Sequence, residues 1–133
     1  MSEPEKRRKA SYVGVPAIFK LELACKHLNK AYGTGHGCYL VGSALQRPDW
    51  RDVDVVLILD DEAFKREFPY ATESTFEFDP KWLLSSVTIS DWLSKETGLP
   101  IDFKIQSQSW ANKRHEGPRN PLGLTFARSE ASE

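Results

Sequence analysis

The stretch Asp52-Val-Asp-Val-Val-Leu-Ile-Leu59 decides the fold class of this chain of 133 residues. Two aspartates, two positions apart, lead into an unbroken run of aliphatic residues, several of them β-branched. Branched aliphatic side chains favour extended backbone, so residues 52–59 are predicted to form a β-strand. This strand begins with two carboxylates.

Two elements are predicted upstream of this strand. Apolar residues recur every three or four positions between Pro16 and Tyr32, which predicts a helix that stops at Gly33. The short apolar segment Cys38-Tyr-Leu-Val41 predicts a second strand, and Gly42-Ser43 ends it.

Downstream, helical and extended patterns alternate again. A short helix is predicted from Asp60 to about Phe68, and a longer one from Asp79-Pro80 to Lys95. Residues 101–106 alternate between apolar and polar, which predicts a third strand, whereas residues 69–79 fit no element. Interleaved helices and strands indicate an α/β (α+β) fold, in which helices pack on a small mixed sheet.

Length and composition fit one domain, predicted over residues 15–127 between flexible tails at 1–14 and 128–133. No apolar run is long enough to cross a bilayer, and no apolar stretch follows the basic N-terminal residues as it does in a signal peptide. We therefore expect a cytoplasmic protein that has no membrane partner. Cys25 and Cys38 lack metal-ligand spacing and are expected to be reduced thiols.

Three carboxylates are the strongest chemical signal. Asp52 and Asp54 are two apart on a strand, so they project from the same face. Adjacent carboxylates repel each other unless a cation compensates, and Mg²⁺ (or Mn²⁺) is the hard, oxygen-seeking cation suited to this task. Asp102 alternates with apolar residues on another strand. If the two strands are close, Asp102 becomes a third acidic ligand.

The turn Gly42-Ser43 follows an apolar strand and presents backbone amides with a small hydroxyl. Glycine lets the main chain approach a ligand closely, and a concave array of amides attracts phosphate oxygens. Taken singly, each feature also has an ordinary interpretation, because a Gly-Ser pair is commonly a turn and an Asp-x-Asp pair is commonly a solvated strand edge. The joint order and spacing favour a phosphate and metal site.

These residues carry a resemblance to a known family. Leu40-Val-Gly-Ser43 followed by Asp52-Val-Asp-Val55 resembles the signature of the DNA polymerase beta-like nucleotidyltransferase superfamily, and Ile101-Asp-Phe103 resembles its third motif. The resemblance covers residues from about 16 to 106.

The resemblance implies a role for each matching residue. Gly42 and Ser43 would grip the triphosphate, Asp52 and Asp54 would bind two magnesium ions, and Asp102 would bind metal and help activate the attacking hydroxyl. Larger members carry a second domain that grips the base or the acceptor. The residues after the third motif are too few for one, so we expect a homodimer or a partner subunit to complete the cleft.

Other polar residues near these motifs are weaker candidates. Lys104 shares a face with Asp102 and is predicted to neutralise phosphate charge, with an ordinary exposed lysine as the alternative. A basic cluster after the last strand is expected to be a solvated face rather than a cover over the triphosphate; it comprises Lys113, Arg114, His115 and Arg119. Arg47 and Arg51 are not assigned a role.

Three functional classes follow. The first is an enzyme that moves a nucleoside monophosphate from a nucleoside triphosphate to an acceptor hydroxyl and releases pyrophosphate. Its acceptor is a protein hydroxyl, a small molecule or an RNA end, and the net charge of −1 disfavours long nucleic acids. The second is a non-catalytic nucleotide-binding or regulatory module of the same fold. The third is a metal-dependent phosphohydrolase, which leaves the Gly-Ser turn unexplained.

Overall fold

In a computed structural model of the chain, which describes residues 11–33, 36–72 and 74–123, helices pack on a four-stranded mixed sheet. The predicted α/β fold class is therefore confirmed. In chain order the elements are α1 (Ala17–Tyr32), β1 (Gly37–Val41), α2 (Ser43–Gln46), β2 (Val53–Leu59), α3 (Asp61–Glu67), a 3-10 turn (Phe76–Phe78), α4 (Pro80–Thr97), β3 (Ile101–Ser107), α5 (Gln108–Arg114) and β4 (Asn120–Leu122).

The strands lie in the order β3-β2-β1-β4. β1 pairs antiparallel with both β2 and β4, and β2 pairs parallel with β3. A parallel neighbour requires a long crossover connection, and the segment from α3 to α4 provides it. The acidic strand predicted from the sequence is thus one of the two central strands.

The predicted helix boundaries agree with the local capping chemistry. Asp60 accepts a hydrogen bond from the backbone of Ala63 and begins α3, and Asp79 does the same for Trp82 at the start of α4. Gly98 ends α4 in the left-handed conformation, with φ 75°. The start of each helix and the end of α4 therefore lie at residue types that favour helix ends, as the sequence predicts.

Four short elements lie where the sequence predicts none: α2, the 3-10 turn, α5 and β4. β4 contains Pro121, which supplies no backbone N–H, so this strand is suited only to the sheet edge it occupies. Ser107 is the N-cap of α5, and its hydroxyl accepts a hydrogen bond from the backbone N–H of Trp110. Segments this short carry too few residues to display a helical or strand period.

The two faces of the sheet are covered unequally. One face meets α1 and α4 in the main core, to which β2 contributes Val53, Val55, Leu57 and Leu59. The opposite face has a small apolar cluster that comprises Val41, Val56, Ile58 and Ala111 of α5. The remainder of this second face is polar, and the candidate site lies there.

Side chains of α4 cover the outer edge of β3. Ser94 Oγ accepts from the amide of Ile101, at 3.1 Å, and Ser90 Oγ accepts from the amide of Phe103, at 2.9 Å. Trp82 Nε1 donates to a β3 carbonyl at 2.7 Å. These hydrogen bonds satisfy backbone groups that an edge strand otherwise exposes for pairing with another chain.

The predicted N-terminal tail, residues 1–14, extends too far into the domain. Val13 is buried in the main core, and the amide of Tyr12 donates to the carbonyl of Ala44 at 2.8 Å. Burial of an aliphatic side chain outweighs the polar character of the preceding residues. Residues 1–10 and 124–133, which contain the remainder of both predicted tails, lie outside the described residues.

Cys25 and Cys38 are buried and form no disulfide, as the sequence predicts. A hydrogen bond between the Cys25 thiol and Cys38, which favours the protonated thiol, and burial raise the pKa of Cys25. Among the helices of the described segments, none has the length and apolar character that crossing a bilayer requires.

Candidate functional site

Two of the three predicted acidic residues lie side by side. Asp54 of β2 pairs in register with Asp102 of β3. Because directly paired residues of neighbouring strands project to the same face, their side chains point to the polar face of the sheet. The structure thereby brings together a carboxylate predicted to bind metal and the carboxylate predicted to activate the acceptor.

The turn at Gly42 lies directly against Asp54. Val41, the last residue of β1, is the register partner of Asp54, and Gly42 follows with φ 81° and ψ −154°. This conformation is almost exclusive to glycine. A Cβ at this position would collide with Asp54 Oδ2 and lie 3.3 Å from its Cγ. Glycine is therefore required both by the backbone angle and by the adjacent carboxylate.

The electrostatic setting of Asp54 fits a site that binds a cation. Burial raises the pKa of Asp54, and the charges of Asp102 and Asp52 raise it further, whereas Lys104 lowers it. Negative charge is therefore concentrated at this point beyond what Lys104 compensates. A bound cation would relieve that excess.

Lys104 lies on the same face of β3 as Asp102, and its ammonium group donates to Asp102 Oδ2 at 3.1 Å. Both side chains are partly exposed, 34% for the lysine and 47% for the aspartate. The structure thus places Lys104 among the acids, as the sequence predicts.

Asp52 precedes β2 and is exposed. It lines a groove together with Asp102 and Lys104, and its charge acts on Asp54. Ser43 is the first residue of α2 and is partly buried. All five matched motif residues therefore lie at one edge of the sheet, where β1 ends and where β2 and β3 begin.

Two basic residues expected on a solvated face line the same small cavity as Asp54 and Gly42. Arg114 and His115, from the end of α5, form this wall of a cavity of about 80 Å³. The guanidinium of Arg114 lies 5.3 Å from the ring centre of Trp110, which holds it in position. The sequence offers no signal for this placement, because α5 is too short to predict and its packing decides where it ends.

His115 and Gln106 bring unused hydrogen-bonding atoms to the cavity. Neither His115 Nε2 nor Gln106 Oε1 has a hydrogen-bond partner among the described residues, and both atoms are buried. Burial lowers the pKa of His115, and the charges of Arg114, Arg119 and Lys104 lower it further. Gln106 could have been found from the sequence, because it continues the period-two face of Asp102 and Lys104.

The remaining polar candidates lie away from the acids or serve structural roles. Arg47 forms an exposed ion pair with Asp49, at 3.6 Å. Trp50, next to the acids in sequence, donates from Nε1 to the carbonyl of Tyr12 and thereby fixes the N-terminal segment. Arg119 donates to the side chain of Asn112 and to the backbone of His115, which braces the loop after α5.

The donor atoms fit a hard divalent cation. Asp54 and Asp102 supply carboxylate oxygens in register, and burial, followed by the charge of Asp102, raises the pKa of Asp54. Within the described segments, however, no three His, Cys, Asp or Glu side chains are grouped so that they could hold a metal. Magnesium is commonly held by one or two carboxylates with water and substrate phosphates. The predicted three-carboxylate site stays a prediction.

No protein-family model, curated protein or solved structure matches the chain. The resemblance to the DNA polymerase beta-like nucleotidyltransferases therefore rests on the motif residues, and membership of that superfamily stays a hypothesis.

Proposed function

We propose that this domain is a metal-dependent nucleotidyltransferase, which moves a nucleoside monophosphate from a nucleoside triphosphate to an acceptor hydroxyl. One observation carries the proposal: the register pair of Asp54 and Asp102 lies against a turn whose glycine leaves no room for a side chain. This arrangement places a concentrated negative charge beside an accessible backbone. A phosphate bound through a cation requires both features.

The small cavity fits one phosphoryl group rather than a whole nucleotide. Its volume of about 80 Å³ lies well below the roughly 300–1,000 Å³ of pockets that enclose whole small-molecule ligands. Arg114 and Lys104 bring positive charge to this cavity, and His115 brings a ring nitrogen that has no partner among the described residues. These groups are suited to holding the phosphates that leave as pyrophosphate, with the nucleoside outside the cavity.

The chemical step assigns a distinct task to each carboxylate. Bound Mg²⁺ would supply charge neutralisation at the transferring phosphate and lower the pKa of the acceptor hydroxyl. Asp54 and Asp102 would hold that ion, and Asp52 would add charge from the mouth of the site. The acceptor oxygen forms a bond to the α-phosphorus while the bond to the bridging oxygen breaks. Asp102 receives the hydroxyl proton, and pyrophosphate departs toward Arg114.

The proposal is tested by ligand binding and by product identity. Thermal unfolding is measured with each common nucleoside triphosphate, with and without Mg²⁺ or Mn²⁺. A ligand at 100 times its dissociation constant stabilises the folded state by about 2.7 kcal/mol. We expect a metal-dependent stabilisation by at least one triphosphate and release of pyrophosphate rather than orthophosphate.

Asp54→Asn is the decisive variant, because the amide keeps the shape of the side chain but not its charge. It should lose the metal-dependent stabilisation and pyrophosphate release. Asp49→Asn is the matched control, since Asp49 is an exposed acid in the preceding loop, and it should behave as the wild type. Orthophosphate as the product would favour a phosphohydrolase, and binding without any product would favour the regulatory module. The proposal fails if the wild type binds no triphosphate or if Asp54→Asn retains both properties.

A further inference from the structure

A groove of about 420 Å³ runs between β3 and α4, next to the candidate acids. Asp52, Asp102 and Lys104 line the wall that belongs to the sheet, and Leu83, Ser86 and Val87 line the wall that belongs to α4. The groove is therefore a large cavity that opens directly onto the carboxylates.

The groove and the small phosphate cavity share only Asp102 and Lys104. Gly42 and Arg114 line the phosphate cavity, whereas the residues of α4 line the groove. Asp102 consequently stands between the two spaces. This is the position required of a base that takes a proton from an acceptor on one side while phosphate is bound on the other.

The charge of the groove disfavours a polyanion. Its lining carries two carboxylates, Asp52 and Asp102, against the single ammonium of Lys104. That ammonium already forms an ion pair with Asp102, at 3.1 Å. Nucleic-acid binding depends on lysine and arginine side chains that neutralise phosphates, and this groove offers no second one among its lining residues.

The wall from α4 is apolar and contains one unused hydroxyl. Leu83 and Val87 of α4 are 47% and 58% exposed. The residues of α4 that bond to the β3 edge through their side-chain hydroxyls are serines. Ser90 and Ser94 are occupied by hydrogen bonds to the β3 backbone. Ser86, in contrast, is 4% exposed, and its Oγ has no partner among the described residues. An apolar wall with one free hydroxyl suits a small ligand that has an apolar body and few polar groups.

We infer that this groove binds the acceptor, and that the acceptor is a small, neutral or cationic molecule that carries a hydroxyl on an apolar body. The inference rests on the proposed nucleotidyl transfer and narrows its acceptor. The apolar body lies against Leu83 and Val87, and the hydroxyl reaches Asp102.

Three probes of one shape test the charge preference: tyrosol, tyramine and 4-hydroxyphenylacetate share a phenol ring and differ in the charge of the tail. Their binding is measured by saturation-transfer NMR titration, with Mg²⁺ and the triphosphate that stabilises the protein. We expect tyrosol and tyramine to bind and 4-hydroxyphenylacetate to bind roughly fivefold more weakly, because a unit charge near a carboxylate in water costs about 1 kcal/mol. A single-stranded oligoribonucleotide should not displace tyrosol.

Val87→Lys and Leu84→Lys form a matched pair for the location of the site. Both residues are exposed on α4, 58% and 69%, but only Val87 lines the groove. Val87→Lys should weaken tyrosol binding by at least about fivefold, as expected for loss of an apolar contact, and Leu84→Lys should leave it unchanged. Both variants should retain the metal-dependent stabilisation by nucleotide.

Failure of this inference is distinct from failure of the proposed function. If nucleotide and metal bind normally but tyrosol and tyramine do not bind, the acceptor inference is wrong and the transfer proposal stands. The inference is also overturned if Val87→Lys and Leu84→Lys change tyrosol binding equally, or if the oligoribonucleotide displaces tyrosol. If the wild type binds no nucleoside triphosphate, the proposed function itself is overturned.

Discussion

Gly42 provides the sharpest test of the site, because a single methyl group would enter the space that Asp54 occupies. The perturbation is Gly42→Ala. Gly98→Ala is the matched control, since Gly98 also has a positive φ, 75°, but no atom lies within 4 Å of the added Cβ. The difference between the two variants therefore isolates the collision and the more restricted backbone region at Gly42.

The magnitude follows from two contributions. A left-handed conformation costs a non-glycine residue about 1–2 kcal/mol, which is the whole effect expected for Gly98→Ala. At Gly42 the backbone region is almost exclusive to glycine and costs about 1–3 kcal/mol. Moving Asp54 away from its rotamer adds about 0.5–1.5 kcal/mol. We therefore expect Gly42→Ala to lower the free energy of unfolding by about 2–4 kcal/mol.

The assay is urea unfolding of the two variants, repeated in an Asp54→Ala background. Removal of the Asp54 carboxylate relieves the collision, so Gly42→Ala should cost about 0.5–1.5 kcal/mol less in that background. Gly42→Ala should also lose the metal-dependent stabilisation by nucleotide, which Gly98→Ala should retain. Equal stability of the two single variants, together with a cost of Gly42→Ala that does not depend on Asp54, would refute a collision between the added Cβ and the Asp54 carboxylate.

Three further predictions concern the charge of the site and the contacts that hold it. Folding favours protonated Asp54, because its pKa is raised, so its contribution to stability is largest below the unfolded pKa and is lost as pH rises through the folded pKa. Without metal, Asp54→Asn should therefore have a higher free energy of unfolding than the wild type at neutral pH. The gain should be less than about 1 kcal/mol, because water screens a half-exposed group. In acid, urea unfolding should give the two proteins equal free energies of unfolding. Trp82→Phe leaves a buried β3 carbonyl unpaired and should cost about 1–3 kcal/mol in urea unfolding, whereas Trp92→Phe, on a more exposed ring, should cost less than about 1 kcal/mol. Asn29→Ala removes the two hydrogen bonds that join α1 to β1 and β4, so it should lower the free energy of unfolding by about 2–3 kcal/mol. His27→Ala, at an exposed position of the same helix, should change it little. Amide hydrogen exchange in β1 should accelerate only in Asn29→Ala.

The central elements were predictable because their residues carry local signals. The aliphatic run after Asp54 requires extended backbone whatever surrounds it, and Asp60, Asp79 and Gly98 mark helix ends by their own capping chemistry. The period-two spacing of Asp52 and Asp54 predicts one shared face, whereas in the structure Asp52 lies just before β2 and lines the groove beside Asp102. The sequence therefore determined β1, β2 and β3 and the long helices.

Only the tertiary structure decided which strands are neighbours and which residues face the acids. Pairing of β2 with β3 in parallel register sets Asp54 beside Asp102, and no local pattern specifies that register. Packing of the short helix α5 against the polar face likewise brings Arg114 and His115 into the cavity, although their sequence suggests a solvated surface. Contacts between residues distant in the chain depend on burial of apolar surface across whole elements, and a local pattern does not record that free energy.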